Sequence, residues 1–279
     1  MQFDILTATK QGYKTVWDER AYLVKLALIP VFVKIICFFV AYSLEIYQGT
    51  FSYPLFMLPA YFAEGWLIAQ FLRTALTGER WPVRVKGSVE EHFDWLVTRA
   101  RSILACILTY VLIAMAHGGA LVFLVKFREL AEEQETALAS NGNPMLVFGA
   151  LALIGLLLWG FRLLWLHVPM ILLIPARNYL KFLGGMMSSL HMLAVWMLSI
   201  IPVFFLMMFV TSLALGPMGG ALADAPPFLS FLFIGLNLIA ETVTAVIASV
   251  SIAALIKPLL ILYGAKPLFP NDDQSGKRK

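Results

Sequence analysis

The chain reads as an all-α, polytopic membrane protein: six transmembrane helices in three hairpins, with helices along the cytoplasmic surface and both termini on that side. Three observations predict this. Of 279 residues, 60% are hydrophobic and only 14% charged, with a mean hydropathy of +0.82, whereas a soluble domain is roughly half apolar and about a quarter charged. The apolar residues gather into six segments, 23–44, 54–76, 102–125, 145–175, 190–215 and 228–257, each reaching the about 20 residues that a crossing needs. Finally, of the 21 Lys and Arg only Lys126 and Arg128 fall in predicted outer loops, and only Lys34 and Arg162 well within spans, Lys25, Arg73 and Lys257 standing at their cytoplasmic edges. The others line the side of the N-terminus, which the positive-inside bias makes cytoplasmic.

Element by element, residues 2–22 come first, a predicted interfacial helix. Phe3, Ile5, Leu6, Tyr13, Val16, Trp17 and Tyr22 alternate there with Lys10, Lys14 and Arg20 at loosely helical spacing, rings for the headgroup level and cations for anionic lipid. The first span follows too late and runs too long for a cleaved signal peptide, so it is expected to stay as a signal anchor. The connection 77–101 is too short to bury its own core. Residues 1–265 are therefore one membrane domain. Within that connection Ser88 and Glu91 have the spacing of a capping box, opening a second surface helix that leads into the third span. The outer loop 126–144 is acidic, with Glu129, Glu132, Glu133 and Glu135, and ends in Asn143 and Pro144, an N-cap and first helical position for the fourth span. That span is longer than the bilayer requires, so it tilts, protrudes or bends near Pro169. A third surface segment, 176–190, sets Tyr179, Leu180, Phe182 and Leu183 beside Arg177 and Lys181. The stretch Ile29–Phe32 recurs as Ile201–Phe204, a short echo consistent with a repeated hairpin unit. The tail 266–279 has two prolines, no apolar periodicity and a basic end, and is expected to be disordered and drawn toward anionic lipid.

Four acidic or basic side chains fall well within spans: Lys34, Glu64, Arg162 and Glu241. Each is costly alone in hydrocarbon, about 2.5–3.5 kcal/mol for Lys or Arg, so partners are expected. Lys34 lies as far from Lys25 as Glu64 does from Arg73, nine positions each, which puts the two at one depth in adjacent antiparallel spans. Arg162 and Glu241 lie deeper, 15 positions from Arg177 and 16 from Lys257. The reading is therefore two ion pairs, Lys34 with Glu64 and Arg162 with Glu241. Asn237, Glu241, Ala245, Ser249 and Ala253 stand four apart on one ridge, small and polar enough for another helix to approach closely. The second span repeats this on a smaller scale, Ala60 standing one turn before Glu64 and Gly65 pairing with Ala69 at small-xxx-small spacing. Two balanced pairs suit a static lock between helices better than a relay, which needs a spare acid.

No cofactor or metal site is expected. His92, His117, His167 and His191 include no two spaced as a metal pair on one helix face; Gly118 and Gly119 beside His117 allow a bend or close contact. Cys37 and Cys106 both fall within spans, away from an oxidising face, and read as buried free thiols. Signatures of zinc proteases, serine hydrolases and phosphate-binding loops are absent from the sequence, so a non-catalytic protein is expected. Basic residues at the membrane edge serve topology, which argues against nucleic-acid binding.

A surface helix carrying Trp17, followed by three apolar hairpins with both termini inside, resembles bacterial six-helix inner-membrane families: the YciC-like group and the membrane domain attached to some glycerophosphodiester phosphodiesterases. The resemblance is one of architecture over most of the chain. It implies a bacterial inner-membrane protein concerned with membrane homeostasis, and carries over no functional residue. Two functions follow: a scaffold organising anionic lipid or a membrane-protein partner, for which the balanced pairs and the basic 73–101 region speak, or a small transporter or permease subunit using the intramembrane charges.

Overall fold

The computed structural model describes residues 4–46, 50–82, 89–138, 155, 158–215 and 226–265, and these form helices and turns with no strand among them. Helix α1, Ile5–Asp18, opens on Asp4, whose carboxylate accepts the Thr7 amide at 3.0 Å. It stops at Glu19 and continues directly into α2, Arg20–Ser43. The expected surface helix is in fact docked into the bundle, packed on the long C-terminal helices. Its buried stripe is small: Ala8, Thr9, Gly12 and Val16. At Gly12 a Cβ would come within 1.9 Å of Ser251 Oγ, so only glycine lets the two backbones approach this closely. The Tyr13 hydroxyl donates to the Ser199 carbonyl at 2.7 Å. Lys10, Lys14 and Trp17, which suggested the membrane surface, are on the exposed side.

The hairpin partner of α2 is preceded by a short helix α3, Ser52–Phe56, and is α4, Leu58–Thr77. From Leu67 to Leu76 every residue of α4 is buried, because α2 and the following long helix cover it on two sides. Helix α5, Val89–Leu138, is 50 residues long, about 75 Å at 1.5 Å per residue. It therefore runs unbroken through what the hydropathy divides into loop, span and outer loop; its apolar stretch is Phe93–Phe123. Ser88 and the Asn143–Pro144 helix start lie outside the described residues. Gly118 is where α3 meets α5: a Cβ there would lie 2.6 Å from Pro54 Cγ.

The fourth predicted span is not one helix where it is described. Residues 145–154, 156 and 157 lie outside the described residues. From 158 a helical turn tightens into a 3-10 turn, Phe161–Trp165; a short α6 follows, His167–Met170. Leu173 then takes φ 56°. Proline explains the break: Pro169 offers no amide hydrogen and crowds the preceding turn, and Pro175 excludes helical geometry at Ile174. Helix α7, Ala176–Leu183, turns Tyr179 and Leu183 inward, so it too is a packed element, with Arg177 and Lys181 exposed.

Helices α8, Met186–Leu215, and α9, Pro227–Leu255, are neighbours with opposite surroundings. In the most apolar stretch of α9, 61% is buried; in that of α8, 11%. Helix α9 is thus an inner helix, packed by α1, α2, α4 and α8, while α8 presents Phe205, Leu206, Phe209 and Leu213 outward. A final turn of helix, α10, Lys257–Leu262, follows Ile256. Among the described residues four helices, α2, α5, α8 and α9, are long and apolar enough to cross a membrane. The Ile-Pro-Val-Phe echo recurs in sequence but not in surroundings: Pro30 is buried within α2, Pro202 exposed within α8.

Candidate functional site

Lys34 is the point where α2, α4 and α9 meet. Its ammonium lies 3.0 Å from Glu64 Oε1 on α4, 3.2 Å from Glu241 Oε2 on α9, and 3.5 Å from Thr242 Oγ1. Three donors and three acceptors match, which satisfies the ammonium in full. Thr242 in turn donates to the Leu238 carbonyl at 3.0 Å, holding its oxygen in place. The two carboxylates differ sharply in environment: the side chain of Glu64 is 5% exposed and that of Glu241 66%. With all three groups ionised, one cation serves two carboxylates. The cluster carries a surplus negative charge, and Glu241 is where it is accessible.

Arg162 is not the partner of Glu241. It sits in the 3-10 turn, buried, with its guanidinium 4.5 Å from the Trp159 ring centroid. Its Nε has no hydrogen-bond partner among the described residues, and its backbone carbonyl accepts from the Tyr179 hydroxyl at 2.9 Å. Matching depths by counting residues presumes straight α-helices. The 3-10 turn and the break at Pro169 change both the rise and the direction of the chain between Arg177 and Arg162, so the count misplaces Arg162 while it serves for the straight pair α2 and α4.

Beside the cluster lies a cavity of about 510 Å³. Glu64 and Tyr61 of α4, Tyr110 and His117 of α5, Phe161, Trp165 and His167 of the broken segment, Trp196 and Phe204 of α8, and one face of α9 line it. That α9 face is the ridge read from the sequence: Asn237, Glu241, Ala245 and Ser249 all border the cavity. Ala253, one turn further, leaves it and is fully buried. The ridge therefore borders the cavity, exposed at Asn237 and Glu241 and buried at Ser249 and Ala253, and its small side chains leave space instead of seating a helix. Positions four apart share a face, and small groups on that face set the wall back.

Two histidines touch this space in different ways. His167 is locked between the Leu164 carbonyl, 3.2 Å from Nδ1, and the Ser249 hydroxyl, 3.1 Å from Nε2, with Tyr110 edge-on at 5.4 Å between centroids. His117 stands in the wall one turn beyond Ile113. No group of three His, Cys, Asp or Glu able to hold a metal occurs among the described residues. Cys37 and Cys106 are free thiols, Cys106 buried. The indole N–H of Trp165, in the wall, has no acceptor among the described residues.

Sequence reasoning missed the aromatic wall and a second charge network. Arg73 Nε and Arg99 Nη1 both reach Glu79 Oε2, at 2.7 and 2.8 Å. Arg73 also donates to Ser102 Oγ at 2.7 Å and Arg99 to Gln70 Oε1 at 3.1 Å. Here two cations share one carboxylate, the inverse of the Lys34 cluster, at the other end of α4. Arg73 and Arg99 had been read only as topology markers; Gln70, an amide within an apolar span, was the available signal that something polar is buried beside it.

Comparison with protein-family models, with curated proteins and with solved structures finds no match for the chain. The functional reading therefore rests on the geometry.

Proposed function

We propose that this protein takes up a small molecule inside its helix bundle, as a transporter or permease subunit with six crossings, both termini cytoplasmic, in a bacterial inner membrane. The observation that carries the reading is the cavity of about 510 Å³ with an exposed carboxylate, Glu241, in its wall. That volume falls in the about 300–1,000 Å³ range of ligand pockets, which are likewise mostly apolar with a few placed polar groups. Ionisable groups within membrane helices mark ligand and ion paths by default. The scaffold reading drew part of its support from two balanced ion pairs; a lysine shared by two carboxylates supplies the spare acid that a static lock does not need. The Lys and Arg asymmetry of the sequence supports the orientation, and the family resemblance supports the bacterial inner membrane. Absence of hydrolase and phosphate-loop signatures in the sequence supports a non-catalytic role.

The test is co-purification. Wild-type protein and an Ala245→Phe variant, whose ring fills the cavity from its α9 wall, are extracted into native-lipid nanodiscs and their bound small molecules compared by mass spectrometry. A species present with the wild type and lost from the variant is expected. Identical lipid and protein companions for both would return the protein to the scaffold class.

A further inference from the structure

We infer that the cavity's ligand is a lipophilic cation, a protonated or quaternary amine with an apolar body, seated with its charge on Glu241. The inference rests on the cavity being a binding site and adds the chemistry of what enters it.

Charge sign comes first. Among the described residues, Glu64 and Glu241 line the cavity and no Lys or Arg does. Lys34 stands behind the wall with its side chain 4% exposed, and the nearest partner of its ammonium is the equally buried Glu64 at 3.0 Å. Those two neutralise each other one to one. Glu241 remains as a carboxylate that Lys34 touches on one oxygen at 3.2 Å while most of the side chain stays accessible. An accessible surplus charge attracts a counter-charge, and a positive ligand head is what this wall lacks.

The rest of the wall suits the body of such a ligand. Tyr61, Tyr110, Phe161, Trp165 and Trp196 converge on the same space. Aromatic faces carry negative charge density, so they attract a cation as well as burying its apolar substituents. A sugar or other polyhydroxylated ligand would need many hydrogen-bonding groups, and the remaining polar wall consists of few: Asn237, Thr244, Ser249 and the histidines. An anion would face Glu64 and Glu241 with no cation among the described residues of the wall to receive it.

Two ions of matched shape and opposite sign test this: tetraphenylphosphonium and tetraphenylborate. Binding is measured by equilibrium dialysis against the protein in phosphatidylcholine nanodiscs, with empty nanodiscs subtracted. The wild type is expected to bind the phosphonium saturably and to show only lipid partition for the borate. Glu241→Gln is expected to weaken phosphonium binding by about tenfold or more, a close charge pair near a protein surface being worth at least that, while Glu241→Asp retains it. Thr244→Lys, which keeps Glu241 but sets a tethered cation in the same wall, is expected to exclude the probe, and melting temperatures establish that each variant is folded. Saturable borate binding, or phosphonium binding unchanged in both Glu241→Gln and Thr244→Lys, overturns the cationic assignment. If that unchanged binding is nevertheless lost in Ala245→Phe, the cavity stands as a binding site and only the ligand class falls. No saturable binding of either ion by the wild type also overturns the cationic assignment, and the co-purification comparison then judges the cavity by itself.

Discussion

Lys34, Glu64 and Glu241 form one cluster, yet they are expected to respond differently to substitution because their exposure differs. Lys34→Met leaves Glu64 buried without its cation, a loss on the order of 3–5 kcal/mol, and the melting temperature in detergent should fall accordingly. Adding Glu64→Leu removes the stranded carboxylate and should restore most of the loss, since replacing a buried pair by apolar groups is often neutral. Glu241→Gln, at an accessible position, should cost less than about 1 kcal/mol. Arg162 offers a sharper check of the observed pairing. With no contact between them, Arg162→Gln and Glu241→Gln should change stability additively within about 0.5 kcal/mol; a coupling well above that would mean the two side chains meet. Lys34 and Glu64 were legible as neighbours from their equal distance to the flanking basic residues. Arg162 was not, because a residue count converts to depth only along an unbroken α-helix.

At the level of elements, two adjacent glycines of α5 are expected to behave in opposite ways. Gly118→Ala drives a Cβ to within 2.6 Å of the Pro54 ring, and such overpacking costs about 1–3 kcal/mol. Gly119→Ala meets nothing within 4 Å and should be neutral or gain up to about 1 kcal/mol of helix propensity. Thermal unfolding of the two variants side by side decides it. Helix α1 gives the companion case. If its docking depends on the Gly12–Ser251 approach and on the Tyr13 hydroxyl, Gly12→Val should expose residues 5–18 to proteolysis and Tyr13→Phe should loosen them by about 1 kcal/mol. Cleavage confined to that segment, with the rest of the chain protected, is the expected pattern. The sequence marked α1 as a helix with basic and aromatic residues on it, and Lys10, Lys14 and Trp17 do lie on its exposed side, while Tyr13 packs inward. What it concealed is that the small residues on the other face, Ala8 and Gly12, are a contact surface, because a small residue gives no hydropathy signal for packing. Proline, by contrast, announced the break near Pro169.

For the whole molecule, the proposed orientation is open to direct measurement. A cysteine introduced at Lys10 in a Cys37→Ser, Cys106→Ser background should react with a membrane-impermeant maleimide only after spheroplasts are permeabilised, and one introduced at Glu133 should react in intact spheroplasts. The reverse pattern would invert the topology. Composition and hydropathy alone determined that the chain is helical and of membrane character, since every backbone amide in hydrocarbon must be paired within a helix and every crossing must be apolar along its length. They also located the ionisable residues that such helices ordinarily exclude. Tertiary structure alone decided which of these meet, that one lysine serves two carboxylates, and that the small-residue ridge of α9 borders a cavity. The reason is physical: covalent order sets each helix's own surface, but a shared ion or a cavity belongs to several helices at once. Its existence depends on how they bend and lean, through features such as the 3-10 turn at Phe161–Trp165 that leave hardly any trace in hydropathy.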